Sequence, residues 1–117
     1  MTAWRFLVLG PLEVRRDTEV LALGGPKQRT VLGLLLLEAG HLVPARRIIE
    51  HVWGVDGAEG AQASLQVYVS NLRKLLRDPG STGDADDRLA FVRPGYRLRV
   101  EPGELDLLRP VVDDRLL

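Results

Sequence analysis

The chain has 117 residues, 45% of them hydrophobic and 27% charged, with 16 Lys+Arg against 16 Asp+Glu, enough for one domain with its own core. With no Cys and only His41 and His51, thiol chemistry and zinc or iron–sulfur sites lack their ligands, so no catalytic residue, metal or cofactor is expected. The longest apolar run, Val31–Leu37, falls far short of the roughly 20 residues of a membrane span, and Met1-Thr2-Ala3-Trp4-Arg5 lacks the order of a signal peptide, so a cytoplasmic protein is expected.

Along the chain, Trp4–Leu9, Leu12–Arg16 and Glu19–Leu23 read as short strands, punctuated by Gly10-Pro11 and Gly24-Gly25. Alternate apolar positions (Phe6, Val8; Leu12, Val14; Val20, Ala22) give this antiparallel meander one face to bury, and helices must cover it. Pro26 suits a first helical turn, and Thr30, Val31, Leu34, Leu35 and Glu38 keep a helical period up to Gly40, a C-terminal cap. Its VLGLLLL stretch leaves little polar face, which predicts a central core helix. Pro44 opens a second helix over Ala45–Trp53, with Ile48, Ile49, Val52 and Trp53 on one side, ended by Gly54. Beyond an acidic, glycine-rich loop, Leu65, Tyr68, Val69, Leu72, Leu75 and Leu76 step by three and four, which predicts a third helix over Ala61–Arg77. After polar Pro79–Asp87, the segments Leu89–Arg93 and Tyr96–Val100 alternate apolar and basic around Pro94-Gly95, a basic hairpin.

The zero net charge hides opposed blocks. Ala61–Arg77 and Arg88–Val100 together carry seven cations and no acid, whereas Asp78–Asp87 and the tail from Glu101 are acidic. Three helices followed by a basic hairpin is the layout of a winged helix-turn-helix, in which the third helix enters the major groove and the wing touches the backbone. Opposite the leucine stripe stand Gln62, Gln66, Ser70, Arg73, Lys74 and Arg77, residues suited to base edges and phosphates. A polar face is also the ordinary property of a solvated helix. Arg93, Arg97 and Arg99 on the hairpin add a second positive element and favour a nucleic-acid partner, although basic residues also guard sheet edges.

The runs GGPKQRTVLGLLLLEAGHLVPARRIIEHVWG, ASLQVYVSNLRKLLR and FVRPGYRLRV resemble the OmpR-type winged-helix DNA-binding domain, a two-component-like output domain. They resemble in particular the version that opens regulators of the streptomycete antibiotic regulatory protein (SARP) family. The resemblance covers roughly residues 4 to 107. It implies a transcription activator of antibiotic biosynthesis genes. Such an activator binds tandem repeats of double-stranded promoter DNA as a head-to-tail homodimer. It recruits RNA polymerase, through its sigma or alpha subunit, by the loop between helices two and three. That loop here comprises Gly54, Val55, Asp56, Gly57, Ala58, Glu59 and Gly60. By position, the resemblance implies Arg73 as a backbone-contacting arginine, Tyr68, Ser70 and Asn71 at groove-facing places, and Arg93 as the wing contact. Many OmpR-type domains carry His where Tyr68 stands and arginines where Ser70 and Asn71 stand, so their base preference does not transfer. SARP regulators continue into a tetratricopeptide-type helical bundle, so the expected division is a DNA-binding domain over 1–103 and a tail, or the start of a truncated helical domain, over 104–117.

Other residues point elsewhere less well. Asp84, Asp86 and Asp87 lack the Gly and Glu spacing of a calcium loop and read as a solvated acidic loop. Gly24-Gly25-Pro26-Lys27 lacks the spacing of a phosphate loop. Neither His has an acid or nucleophile spaced for a triad, and Trp53 and Tyr96 read as core anchors, with Trp4 ambiguous. The expectation is an α+β winged helix-turn-helix: an N-terminal antiparallel β-meander, three helices and a C-terminal β-hairpin wing. The alternative is a protein-interaction module that keeps this fold without specific DNA binding; a small acid–base enzyme has no paired carboxylate motif behind it.

Overall fold

A computed structural model describes residues 2–57, 59–79 and 87–106. Its elements are β1 (Trp4–Leu7), β2 (Glu13–Arg16), β3 (Glu19–Val20), α1 (Pro26–Leu37), β4 (Val43–Pro44), α2 (Ala45–Trp53), α3 (Ala61–Leu75), β5 (Leu89–Val92) and β6 (Gly95–Leu98). They form the expected α+β arrangement: a meander in the order β1-β2-β3, three helices, and a second sheet in the order β4-β6-β5. No described helix is long and apolar enough to cross a membrane.

The meander buries Phe6 and Val14, which face each other across β1 and β2, as their alternation predicts. The third strand departs from expectation. Only Glu19 and Val20 pair with β2, Val20 is 57% exposed, and the buried residues are Leu21 and Leu23 instead of Val20 and Ala22. In a period-two element a shift of one residue exchanges the faces. The Leu21 N–H still donates to the Val14 carbonyl of β2 at 2.9 Å, and beyond it the chain turns into the core on its way to α1.

Helix α1 starts at Pro26, where a missing N–H costs nothing, and fully buries Val31, Leu32, Leu35 and Leu36. It is not apolar-buried all round: Leu37 is 58% exposed, and with Leu34 it lines a groove of about 500 Å³ shared with Val8, Leu12, Arg29 and His51. Gly40 lies past the helix end with φ +82°, and its N–H donates to Leu98 of β6 at 2.8 Å, joining the helix turn to the wing sheet.

Pro44 belongs to the short strand β4, which the sequence does not announce, and is the N-cap of α2. Strand β4 pairs with β6 through Val43–Tyr96 and Pro44–Gly95. Gly95 is therefore a buried strand residue, and the hairpin turn is Arg93-Pro94, one residue earlier than expected. A Cβ at Gly95 would stand 2.0 Å from the Val43 carbonyl oxygen and 2.7 Å from Pro44 Cα, so the close approach of β4 demands glycine.

Glu104–Asp106 return to β1. The Phe6 N–H donates to the Glu104 carbonyl at 2.7 Å, Leu105 is buried, and the Asp106 carboxylate accepts from the Val8 and Leu9 N–H groups at 2.9 and 3.2 Å. Trp4, ambiguous in the sequence, is buried, and its indole N–H donates to Asp78 at 2.6 Å, tying β1 to the end of α3.

Candidate nucleic-acid interface

The apolar spacing of α3 seats Ala61, Leu65, Val69 and Leu72 in the core, which turns Gln62, Ala63, Gln66, Val67, Asn71 and Lys74 outward. The helix holds no acid, and Arg73 and Lys74 occupy its last turn, where cations favour the negative end of the helix dipole. Leu76 and Arg77 lie beyond its end, although Arg77 was expected within it; their N–H groups close the turn onto Leu72 and Lys74.

Of the expected contact residues, Gln62, Gln66 and Lys74 are exposed and Ser70 is half-buried beside them. Tyr68, Asn71, Arg73 and Arg77 have partners within the chain. Tyr68 stacks on Trp53 of α2, ring centroids 5.9 Å apart and 8° from parallel. Asn71 donates from Nδ2 to Gln28 of α1 at 3.0 Å. Arg73 donates from Nε to the Leu89 carbonyl of β5 at 3.0 Å and lies 3.7 Å from Asp87. Arg77 donates to both oxygens of Asp87, at 2.9 and 3.3 Å.

Asp87 is thus not a solvated loop residue: its side chain is 6% exposed, between two arginines of the α3 segment. Asp84 and Asp86 lie outside the described residues. Among the described residues no group of His, Cys, Asp or Glu is placed to hold a metal ion.

The wing is less basic than its sequence. Arg88 is buried, paired with Glu104 through two hydrogen bonds of 2.7 Å, and stands 5.2 Å from the Trp4 ring centroid. Arg99 pairs with Glu101 at 3.1 Å. Arg93, in the turn, and Arg97, on β6, are exposed. Behind them Tyr96 is buried against Val43, and burial raises its pKa above the ordinary tyrosine value, partly opposed by the Arg73 charge.

In the loop before α3, Gly54 (φ +81°) caps α2 and Gly60 (φ +78°) is the N-cap of α3. Between them Val55 is 79% exposed, with Asp56 and Glu59 also exposed. Ala58 lies outside the described residues.

Two residues escaped the sequence reading. Val67, 56% exposed, lies between Ala63 and Lys74 on the outward side of α3; its signal is an apolar residue that falls off the leucine stripe. Gln28 lies in the GGPKQR run that opens α1, but only the fold brings it against Asn71, 43 residues away.

A family model described as "Transcriptional regulatory protein, C terminal" matches residues 19–98. "Regulatory protein AfsR" of Streptomyces coelicolor is 42% identical over 108 residues, which cover 92% of this chain and 10% of that protein. A solved structure of Mycobacterium tuberculosis EmbR in complex with a low-affinity phosphopeptide superimposes with a TM-score of 0.85 at 38% identity, covering 97% of this chain and 29% of that one. The DNA-binding domain of E. coli CadC shares the fold, with a TM-score of 0.61 at 23% identity over 76% of this chain and 79% of that one. The chain thus spans about a tenth of AfsR and under a third of the EmbR chain.

Proposed function

The chain belongs to the transcriptional regulatory protein C-terminal domain family, the OmpR-type winged helix, in its SARP branch, and on that premise we propose that it binds double-stranded promoter DNA in a sequence-specific way. Its relatives are named as regulators, not enzymes. Helix α3 enters the major groove, with Gln62, Gln66, Ser70 and Asn71 toward base edges and Arg73 and Lys74 toward phosphates, while Arg93 of the wing contacts the neighbouring backbone. The observation that carries this reading is the acid-free outward side of α3 beside a wing that exposes Arg93 and Arg97.

In the finer reading, the regulator activates secondary-metabolite genes by binding tandem repeats as a homodimer. The loop from Gly54 through Val55, Asp56, Gly57, Ala58 and Glu59 to Gly60 meets the sigma or alpha subunit of RNA polymerase. The exposure of Val55, Asp56 and Glu59 leaves this loop accessible for such a contact.

Fluorescence anisotropy of the chain on its own upstream region and on a scrambled duplex, titrated with salt, tests DNA binding. Neutralising four to six phosphates gives a slope of log K on log salt of about −4 to −5. Lys74→Ala is expected to weaken both duplexes alike and to reduce that slope by about 1. Equal, salt-insensitive binding to both duplexes would exclude the reading.

A further inference from the structure

Gln28 is a buried carboxamide in the first turn of α1. Its Nε2 donates to the Leu23 carbonyl at 3.0 Å, and its Oε1 accepts from Asn71 Nδ2 at 3.0 Å. Amide oxygen and nitrogen are often interchangeable by shape, but here the chemistry sets their order. The Leu23 carbonyl only accepts, so the Gln28 group facing it is the NH2. Its oxygen then faces α3, so Asn71 offers its own NH2 there. Gly24 makes room for this arrangement: at φ +90°, a Cβ would stand 2.5 Å from Gln28 Nε2.

Asn71 is exposed on α3, where an unrestrained side chain could present either end of its amide to a base. With one N–H committed to Gln28, its Oδ1 and second N–H remain to face outward. An acceptor beside a donor matches the N6 amino group and N7 of adenine in the major groove.

We propose that Gln28 is a specificity-determining positioning residue: it never touches DNA, yet it holds Asn71 in the one amide orientation that reads adenine. This rests on the DNA-binding reading above. Polarity passes from the Leu23 carbonyl through Gln28 to Asn71, so the β3–α1 connection sets the base preference of α3.

The test measures competition by single-base-substituted duplexes for wild type, Gln28→Met, Asn71→Ala and the double variant at one salt concentration. Wild type is expected to prefer adenine at one position by about tenfold, falling to about twofold or less in all three variants. Gln28→Met leaves binding to the scrambled duplex at low salt unchanged. Because the two residues act as one relay, Gln28→Met adds nothing in the Asn71→Ala background. A folded Gln28→Met that keeps the wild-type preference, or losses that add in the double variant, would overturn the proposal while leaving DNA binding intact. Absence of salt-sensitive binding to any duplex would overturn both.

Should Gln28→Met fail to fold, the wild-type chain itself carries the test. Side-chain amide NMR of the DNA-free protein reads the relay directly. One slowly exchanging Asn71 Nδ2 proton supports it, and exchange at the rate of a free amide overturns it.

Discussion

Asp87 accepts hydrogen bonds from Arg77 on both carboxylate oxygens, at 2.9 and 3.3 Å, with its side chain only 6% exposed. The carboxylate also lies 3.7 Å from Arg73. One acid therefore offsets cations that the sequence places on an acid-free helix, and it fastens the start of β5 to the end of α3. Charge-assisted, partly desolvated contacts of this kind are stronger than exposed ion pairs.

Asp87→Asn is expected to lower stability by about 1–3 kcal/mol, read as a fall in Tm of roughly 4–8 °C per kcal/mol for a domain of this size. With the acid gone, Arg73 and Arg77 present more positive potential, and the salt slope of DNA binding steepens by about 1. A lower Tm with an unchanged slope would mean that Asp87 serves the fold alone.

Gly95→Ala sets a Cβ against the Val43 carbonyl, where the glycine leaves only 2.0 Å. Both neighbours are backbone, so the strain cannot be relieved by turning a side chain, and β4 and β6 must part. A loss of about 3 kcal/mol is expected, measured by urea unfolding. Wild-type stability in this variant would show that the second sheet yields at no cost.

Tyr96 links stability to alkaline pH. Its pKa is raised by burial in the fold, so above about pH 10, the ordinary tyrosine value, the unfolded chain releases its proton first. Stability is retained below that pH and declines as pH rises through the raised folded value. Tyr96→Phe is expected to flatten this decline, as followed by thermal melts between neutral pH and pH 11. An equally steep decline in the variant would assign it to other groups.

Val67, 56% exposed on the outward side of α3, suits the methyl group of thymine. Val67→Ser is expected to reduce discrimination for thymine at one operator position by roughly fivefold without lowering Tm. Unchanged discrimination, measured by the same duplex competition, would place Val67 outside the readout.

The three helices were legible because their apolar residues recur at helical spacing between Pro and Gly signals, and local periodicity decides which face of a helix is buried. The hairpin was legible from its alternation. Its turn was not, because Gly95 serves an approach by Val43, which belongs to a strand too short to show a pattern. The third strand misled for the related reason that its two apolar pairs, Val20 with Ala22 and Leu21 with Leu23, alternate equally well.

The order of elements, the core helix and the acid-free outward side of α3 can all be read from residues near one another in the chain. Which of the polar residues are already engaged depends on the folded arrangement. Arg88 goes to Glu104, Arg73 and Arg77 to the wing, Tyr68 to Trp53 and Asn71 to Gln28. These pairings join elements distant in sequence, and no local period encodes which donor will meet which acceptor once the core has closed.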